Sequence, residues 1–415
     1  MKKIKQVNLP GSKSITNRVL LLASTIEGTS YIENILISDD TSYMLDSLIK
    51  LGFEIETQKN SVKIKGKNVR EISFNDNIEL FVGNAGTTIR FLTTFLTTFK
   101  KGKFIINCEP RMKERPIADL VDPLNRMGAK IKYLEKDGYP PLLIEANNLS
   151  FEEIEIDVSK SSQYLSSILL NSHLIGVKKI IAKNPVSIPY IETSLKILEY
   201  FGIRINTRDY ITYTIEKINL KPQTFYVPAD ASSASYFFAG AFLLNKLIGL
   251  NIGKNCMQGD YNFIDILRAM GGSFAISENM TYFLGRERFD GIEVDMNSIP
   301  DVVQTLSVLA LFADTPTTIK NVENLRIKET DRLEALQNEL TKIGATVITG
   351  KDFINIKPAK NKTYYPVTIN TYNDHRMAMS FAIAQLKVPI KIENPSVVSK
   401  SFPEFWEVWE IFLKD

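Results

Sequence analysis

The sequence is poor in the residues that form disulfide frameworks and zinc sites. Its 415 residues include two cysteines, Cys108 and Cys256, and two histidines, His173 and His375. Two cysteines are too few for a disulfide framework, and two histidines leave no His/Cys cluster of the kind that binds zinc. We therefore expect neither a metal site nor a cofactor.

Long apolar runs and an excess of one charge are also missing. No stretch approaches the roughly 20 apolar residues that span a bilayer, and Val19–Ala23 is too short for the core of a signal peptide. The 50 Lys and Arg residues nearly balance the 47 Asp and Glu residues, which leaves a formal charge of +3. This balance argues against nucleic-acid binding, which usually needs a strongly basic face. We expect a cytoplasmic protein with no membrane segment.

A helical apolar pattern that ends in glycine and continues as an alternating strand occurs five times. Each glycine stands where a helix end needs a residue with positive φ, and the second alternating run that follows it predicts a hairpin. A sixth step would end in the helix predicted over Phe405–Lys414. Alternating helices and hairpins predict an α/β protein with helices packed beneath mixed sheets. The glycines, 69 to 76 residues apart, are Gly52, Gly128, Gly202, Gly271 and Gly344.

Three of the helices that end at these glycines carry apolar residues at three- and four-residue spacing, which gives each helix one buried stripe. They are Ile191–Phe201, Asn262–Met270 and Asp331–Ile343.

Arginine is scarce and concentrated in short motifs. The chain has 36 lysines and 14 arginines, and half of the arginines fall in five motifs. Arginine offers a planar fork of donors that matches carboxylate and phosphate oxygens, which lysine cannot reproduce. The motifs therefore indicate an anionic ligand. The seven arginines are Arg18, Arg90, Arg111, Arg115, Arg326, Arg332 and Arg376.

Two of the motifs lead into predicted helices. Gly11–Ser14 places backbone N–H groups, hydroxyls and the Lys13 ammonium at a helix start, which is a natural anion site. Arg18 follows Ser14 by one helical turn on the same face. Gly83–Arg90 is a glycine-bracketed turn in which small residues let a ligand approach the backbone.

The loop Glu109–Pro116 contains two arginines held between prolines. This arrangement is typical of a preorganised clamp for an anion. Hydroxyl and amide groups also occur at two other predicted helix starts, in Ser161–Gln163 and Ser187–Tyr190, where capping is the simpler interpretation.

The strongest motif is Asn324–Arg332, in which cationic and anionic residues alternate just before a predicted helix. Asp301, Asn373–Met377 and Lys400 add charged groups at other element boundaries. Together the motifs predict a site rich in Lys and Arg, with Asp301 and Glu329 as candidate proton-transfer carboxylates. Such a site suits proton transfer and charge stabilisation on multiply anionic substrates.

These motifs make the sequence resemble the 5-enolpyruvylshikimate-3-phosphate (EPSP) synthase family of enolpyruvyl transferases, from Pro10 to Pro403. Two positions depart from the usual pattern of the glyphosate-sensitive class: Thr88 replaces the usual Ala and Phe91 the usual Pro. The sequence therefore leaves glyphosate sensitivity open. The motifs that carry the resemblance are Gly11–Arg18, Gly83–Arg90, Pro110–Pro116, Asp230–Ala234, Arg326–Arg332 and Asp374–Met379.

The resemblance implies two domains, each built from three βαβαββ repeats, with a hinged cleft that closes on the substrates. It implies that residues 1–11 and 230–415 form a discontinuous domain, which carries the phosphoenolpyruvate side, Asp301 and Glu329. Residues 12–229 would form an inserted domain on the shikimate 3-phosphate side, with crossings near Ser12 and Asp230. We expect a monomer that acts on these small molecules.

The resemblance also implies a reaction, the transfer of the enolpyruvyl group of phosphoenolpyruvate to the 5-hydroxyl of shikimate 3-phosphate, with release of phosphate. It assigns catalytic roles to Lys13, to Asp301 as acceptor of the hydroxyl proton and to Glu329 as donor to the methylene carbon. The residues implied to bind shikimate 3-phosphate are Ser14, Arg18, Ser161, Ser162, Gln163, Ser187, Tyr190, Asp301, Asn324 and Lys328. Those implied to bind phosphoenolpyruvate are Lys13, Asn84, Gly86, Arg111, Gln163, Arg332, Arg376 and Lys400.

Two alternatives remain at this stage. The enolpyruvyl transferases that use UDP-N-acetylglucosamine carry a reactive cysteine in the loop corresponding to Arg111–Pro116, whereas the nearest cysteine here is Cys108. A non-enzymatic RNA or polyanion binder would need a basic face with stacking aromatic residues. The arginine motifs here contain Asp and Glu instead.

Overall fold

The computed structural model of the chain describes residues 4–286 and 288–414. The chain divides into two compact units. We call Gly11–Val227 the inserted unit, and the residues up to Pro10 together with those from Pro228 onward the split unit.

The α-helices of the described residues are α1 (Lys13–Ser24), α2 (Asp39–Lys50), α3 (Gly86–Thr97), α4 (Ala118–Arg126), α5 (Ser162–Leu170), α6 (Ser172–Ile175), α7 (Ile188–Tyr200), α8 (Ala231–Leu244), α9 (Phe263–Ala269), α10 (Val303–Leu309), α11 (Arg332–Ile343), α12 (His375–Ala384) and α13 (Phe405–Leu413).

The strands are β1 (Lys5–Val7), β2 (Gly28–Glu33), β3 (Glu54–Gln58), β4 (Ser61–Gly66), β5 (Ser73–Phe81), β6 (Lys101–Asn107), β7 (Lys130–Tyr133), β8 (Leu142–Ala146), β9 (Glu153–Asp157), β10 (Lys179–Lys183), β11 (Ile203–Asn206), β12 (Thr212–Ile218), β13 (Thr224–Tyr226), β14 (Leu247–Leu250), β15 (Ser273–Ile276), β16 (Thr281–Leu284), β17 (Glu293–Asp295), β18 (Thr317–Lys320), β19 (Thr346–Thr349), β20 (Ile354–Lys357), β21 (Thr368–Ile369) and β22 (Lys391–Ile392).

One strand arrangement recurs throughout the described chain. Five sheets each begin with a parallel pair, and the second strand of that pair is extended by an antiparallel hairpin. The inserted unit has the orders β13-β2-β4-β3, β5-β6-β8-β7 and β9-β10-β12-β11. The split unit has β1-β14-β16-β15, β17-β18-β20-β19 and the parallel pair β21-β22 alone. The predicted α/β fold of six repeats, three in each unit, is confirmed.

The five repeated glycines each end a helix and lead into a hairpin. Their φ angles lie between +85° and +122°, a range that side-chain-bearing residues rarely adopt. At Gly202, a Cβ would also lie 2.1 Å from the carbonyl oxygen of Asn219. The repeat is therefore fixed by backbone conformation as well as by apolar pattern.

The helices predicted from apolar spacing are present. The two that were expected at Asn262–Met270 and Asp331–Ile343 are α9 and α11, each one residue shorter or less at either end. The helix α7 begins three residues earlier than expected, since Ser187 adopts a left-handed conformation and Pro189 occupies the first turn. None of the described helices is long and apolar enough to cross a membrane.

The helix α8 lies in the core of the split unit and is buried along nearly its whole length. The final helix, α13, packs its aromatic side chains against it. The ring centroid of Phe237 lies 5.4 Å from that of Trp409 and 5.7 Å from that of Phe412. Burial of large aromatic side chains contributes strongly to stability, so α13 should hold the split unit together.

We predict that Trp409→Ala lowers the free energy of unfolding by about 3–5 kcal/mol, because Trp409 is only 3% exposed and leaves a large cavity. Trp406→Ala, on the same helix, is the matched control. Trp406 is only partly buried, and its indole N–H donates to the carbonyl of Pro395. Urea denaturation measures both variants. An equal loss for the two would contradict the proposed importance of the α8–α13 packing.

Candidate functional site

The start of α1 carries the first cluster of the inserted unit. Ser12 caps the helix by accepting a hydrogen bond from the N–H of Ile15 at 3.4 Å. The ammonium of Lys13 lies 3.0 Å from a carboxylate oxygen of Asp40, whose side chain is almost fully buried. The Thr88 hydroxyl donates to the carbonyl of Asp40 at 3.2 Å. Asp40 thus fixes the position of Lys13.

Arg18 lies one turn further along α1 and is 1% exposed. Its guanidinium donates to the Ser194 hydroxyl at 2.8 Å and to the carbonyl of Ser14 at 2.9 Å, with weaker contacts to Ser166 and Tyr190. These acceptors are all neutral. Burial lowers the pKa of Arg18 to about 10, which still leaves it charged at neutral pH. A buried cation with neutral partners favours the binding of an anion nearby.

The second cluster surrounds the start of α3. Arg90 donates to the side-chain oxygen of Gln163 at 2.6 Å. Arg115 donates to both the carbonyl and the side-chain oxygen of Asn84, at 3.2 and 3.1 Å. A Cβ at Gly86 would lie 2.6 Å from Arg115 and 2.9 Å from Arg90, so the two guanidinium groups close on the glycine itself. Glycine is required here because of this close approach.

Arg111 was expected in the phosphoenolpyruvate set, but its position differs from that of Arg115. Arg111 precedes a 3-10 turn over Met112–Glu114, its side chain is one-third exposed, and it pairs with Glu114 at 2.5 Å. Arg115 is 3% exposed and reaches Asn84. Sequence spacing alone could not distinguish the two arginines, because the turn between them decides which one faces inward.

The remaining inserted-unit residues lie at two helix starts. Ser161 caps α5 by accepting from the N–H of Gln163 at 3.2 Å, and Ser162 is buried beside it. Ser187 is buried before α7, and the carbonyl of Tyr190 accepts from Arg18. The helices α5 and α7 pack together, and Arg18 of α1 contacts both, through Ser166 of α5 and the carbonyl of Tyr190 in α7.

Thr88 and Phe91, the two residues that depart from the usual family pattern, pack close to Lys13 and Arg18. Thr88 touches the backbone of Asp40, as described above, and the Phe91 ring centroid lies 5.2 Å from the guanidinium carbon of Arg18. Both side chains are fully buried. They therefore shape the packing under Lys13 and Arg18.

The split unit contains a separate cluster centred on Arg332, the first residue of α11. Its guanidinium donates to Asp374 at 2.7 Å, to Glu329 at 2.9 Å and to Asp301 at 3.2 Å. Arg332 is 1% exposed. The three carboxylates offset the cost of burying this charge. Asp301 and Glu329, the two candidate proton-transfer carboxylates, therefore both accept hydrogen bonds from the Arg332 guanidinium.

Arg376 is the second cation of this cluster. It donates to the other carboxylate oxygen of Asp301 at 2.8 Å, and it also contacts the hydroxyl groups of Ser232 and Tyr236. Asp374 caps α12 by accepting from the N–H of Arg376 at 2.8 Å. The Asp374 carboxylate therefore accepts from the guanidinium of Arg332 and from the backbone N–H of Arg376.

The charges around Asp301 set its protonation state. Burial alone would raise the pKa of Asp301, but the positive charges of Arg376, Lys328 and Arg332 outweigh this effect and hold it well below its usual range. Asp301 is therefore ionised at neutral pH. Burial would lower the pKa of Arg332, but the charges of Asp374, Glu329 and Asp301 raise it instead.

Asn324 and Lys400 complete the expected residues of the split unit. Asn324 is buried in the 3-10 turn Glu323–Ile327 that precedes Lys328. Lys400 is 8% exposed at the end of the 3-10 turn Pro395–Lys400, which packs against α12.

The substrate-binding residues implied by the resemblance did not include Asp40, Arg115 or Asp374, although Arg115 and Asp374 lie in motifs that the sequence singled out. Each stands next to a residue that the resemblance did assign, and each is a charged side chain that the fold buries. The position of Asp374 directly before His375 and Arg376 at a helix start was a usable signal for a cap. Within residues 4–286 and 288–414, no group of three His, Cys, Asp or Glu residues could hold a metal ion.

Comparison with known proteins identifies the family. Residues 2–409 match the family model described as EPSP synthase (3-phosphoshikimate 1-carboxyvinyltransferase). The chain belongs to the EPSP synthase family. It is therefore a transferase of the shikimate pathway, which leads to aromatic amino acids.

Curated members of the EPSP synthase family are similar over almost their whole length. The 3-phosphoshikimate 1-carboxyvinyltransferase of Actinobacillus succinogenes is 42% identical, across 97% of this chain and 95% of the relative. The 3-phosphoshikimate 1-carboxyvinyltransferase of Haemophilus influenzae (strain Rd) is 41% identical, across 99% of this chain and 96% of the relative.

Solved structures agree with this assignment. The EPSP synthase of Acinetobacter baumannii has a TM-score of 0.79 and 25% identity, and the match covers 98% of this chain and 94% of that one. The enolpyruvyl transferase NikO of Streptomyces tendae shares the fold, with a TM-score of 0.75, at 14% identity over 99% of this chain and 95% of its own. The expected enolpyruvyl transferase fold is thus confirmed.

The UDP-sugar alternative loses support on two grounds. The curated relatives cited above are named for 3-phosphoshikimate. Cys108 is 7% exposed, and burial raises the pKa of its thiol to about 11. A thiol with so high a pKa is a poor nucleophile at neutral pH.

We predict that Asp301→Asn destabilises the protein by about 1–3 kcal/mol at pH 7, because charged hydrogen bonds to Arg332 and Arg376 are lost. The pKa of Asp301 is lower in the folded chain than its unfolded value of about 4. Its stabilising effect is therefore complete above that pH and declines as the pH falls below it.

Urea denaturation at pH 7, 5 and 3.5 measures this effect, and the gap between wild type and variant should narrow only at the lowest pH. Glu293→Gln breaks an exposed ion pair with Lys320 and is the control, with a change under about 1 kcal/mol. A gap that stays constant down to pH 3.5 would contradict the assignment.

Proposed function

We propose that Asp301 and Glu329 carry out the two proton transfers of the carboxyvinyl transfer reaction. The observation that carries this proposal is that both carboxylates contact one buried guanidinium, that of Arg332. They are therefore held near each other and near two or more cations. This arrangement suits a reaction in which protons move while negative charge is redistributed.

The proposed reaction is an addition followed by an elimination. The 5-hydroxyl oxygen of shikimate 3-phosphate attacks C2 of phosphoenolpyruvate, Asp301 accepts the hydroxyl proton, and Glu329 donates a proton to C3. The product of this step is a tetrahedral intermediate. Loss of a proton from C3 and of phosphate from C2 then restores the double bond and gives the enolpyruvyl ether.

The depressed pKa of Asp301 needs to rise for this role, because a proton acceptor works best with a pKa near the working pH. In the described structure, Arg332 and Arg376 each hold one of its oxygens. A phosphoenolpyruvate anion bound to these arginines would share their charge and weaken their hold on Asp301. Substrate binding would thus raise the pKa of Asp301 toward the range that proton transfer requires.

Shikimate 3-phosphate is proposed to bind the hydroxyl-rich residues of the inserted unit, together with Asp301, Asn324 and Lys328. Buried Arg18, whose acceptors are neutral, supports a phosphate partner at the start of α1. Short hydroxyl side chains suit a polyol, because each can both donate and accept. The inserted-unit residues are Ser14, Arg18, Ser161, Ser162, Gln163, Ser187 and Tyr190.

Phosphoenolpyruvate is proposed to bind the more densely cationic set. The arginines that close on Gly86 support the addition of Arg115 to this set. Bidentate arginine contacts match carboxylate and phosphate groups. The expected residues are Lys13, Asn84, Gly86, Arg111, Gln163, Arg332, Arg376 and Lys400.

We further propose that the enzyme is a cytoplasmic monomer.

Phosphate release with both substrates, each omitted in turn, tests the reaction. We predict that Glu329→Gln lowers kcat at least about 100-fold, because a general acid contributes a factor of that size or more. The KM values should change less than about threefold, since glutamine keeps the shape of the side chain. Turnover within about fivefold of wild type would exclude Glu329 as the proton donor.

We predict that Arg115→Ala raises the KM for phosphoenolpyruvate at least about tenfold, as expected for loss of a charged hydrogen bond. Arg111→Ala, four residues away, should raise it only a few-fold, because Arg111 is partly exposed and paired with Glu114. Initial rates at saturating shikimate 3-phosphate measure both. A larger effect at Arg111 would reverse our assignment of the inward-facing arginine.

A further inference from the structure

The turn Asn370–Asp374 joins β21 to α12 and contains two consecutive residues in a left-handed conformation. Tyr372 and Asn373 both have φ of +53°. Such a backbone is unfavourable for residues other than glycine and persists only where the surroundings hold it. The turn ends at Asp374, the residue that holds Arg332 and caps the helix of Arg376.

Glu339 is the group that holds this turn. It lies on α11 and is fully buried. One of its carboxylate oxygens accepts from the Tyr372 hydroxyl at 2.7 Å, and the other accepts from the N–H of Asn370 at 3.1 Å. Lys342 lies 2.8 Å from both oxygens and balances the charge. Burial, together with the hydrogen bond to Glu339, raises the pKa of Tyr372 to about 12.

The helix α11 therefore forms hydrogen bonds with both ends of the turn. Arg332 and Glu339 are seven residues apart, which is two helical turns, so they share one face of the helix about 10 Å apart. Arg332 holds the end of the turn at Asp374, and Glu339 holds its start at Asn370. The helix therefore fixes the distance between the residues that bond the two ends of the turn.

The same turn is linked to the segment of Lys400. The side-chain amide of Asn394 donates to the side-chain oxygen of Asn373 at 3.0 Å. Asn394 stands directly before the 3-10 turn that ends at Lys400 and itself has φ of +48°. The turn thus connects the segments of three cations, Arg332, Arg376 and Lys400.

We propose that Glu339 is a positioning residue for phosphoenolpyruvate, acting through the turn Asn370–Asp374 on the cations Arg332 and Arg376. This inference rests on the proposed site, in which those cations bind phosphoenolpyruvate. Glu339 is not among the residues proposed to contact the substrate. A displacement of the cations by as little as about 1 Å would weaken the substrate contacts substantially.

Glu339→Gln and Tyr372→Phe test the proposal. We expect Glu339→Gln to raise the KM for phosphoenolpyruvate about tenfold and Tyr372→Phe about threefold, as expected for loss of a charged and of a single hydrogen bond. The KM for shikimate 3-phosphate should change less than twofold in both. Amide hydrogen exchange at Arg376 should become faster in both variants, because its N–H is bonded to Asp374.

Tyr364→Phe is the matched control. Tyr364 is also partly buried in the split unit, and its hydroxyl donates to the carbonyl of Leu311 at 3.0 Å. It should leave both KM values and the exchange at Arg376 unchanged. A purely structural role for Glu339 would lower stability and the amount of active enzyme without a selective change in one KM.

Arg376→Ala distinguishes a failure of the positioning role of Glu339 from a failure of the proposed phosphoenolpyruvate site. If it raises the KM for phosphoenolpyruvate and Glu339→Gln does not, the positioning role of Glu339 is wrong. If Arg376→Ala also leaves that KM unchanged, the site assignment is wrong, and the inference that rests on it is overturned as well. A selective rise in Glu339→Gln, Tyr372→Phe and Arg376→Ala supports both.

Discussion

The burial of the Arg332 guanidinium is the interaction on which the site of the split unit depends. Removing an ionised group from water is costly, and hydrogen bonds to oppositely charged acceptors offset much of that cost. Three carboxylates from three segments of the chain supply them: Asp301, Glu329 and Asp374. Because each segment must reach one guanidinium, their relative positions are fixed to within hydrogen-bond geometry. A reaction in which one carboxylate accepts a proton from the substrates and another donates one to them needs that precision.

The two units stabilise buried cations in different ways. In the split unit, Arg332 and Arg376 contact carboxylates, so their charges are partly neutralised before a substrate arrives. In the inserted unit, the acceptors described for Arg18 and Arg90 are neutral hydroxyl, carbonyl and amide oxygens. Neutral acceptors leave the full positive charge available to an anion. Among these arginines, those paired with carboxylates lie where protons are proposed to move, and Arg18, with its neutral acceptors, lies where a phosphate is proposed to bind.

The sequence predicted the features that depend on local pattern. The six repeats, the hairpins after the glycines and most helix bounds follow from apolar periodicity and from positive-φ positions such as Gly202. It did not indicate that Arg115 rather than Arg111 contacts Asn84, because a single 3-10 turn sets their directions. Contacts such as Glu339 to Tyr372 join residues 33 positions apart and have no local signature. The types of site residue were predictable, but their partners depended on the tertiary structure.

The first strand of the chain pairs with a strand far from it in sequence. Lys5–Val7 forms a parallel ladder with residues Ile248–Leu250, which follow the whole inserted unit in the sequence. A ribosome adds about 5–20 residues per second, so during synthesis this strand waits roughly 10 to 50 s for its partner to be made. The inserted unit contains all of its own strand partners and is complete before then. Synthesis thus favours an order in which the inserted unit folds first and the split unit closes last.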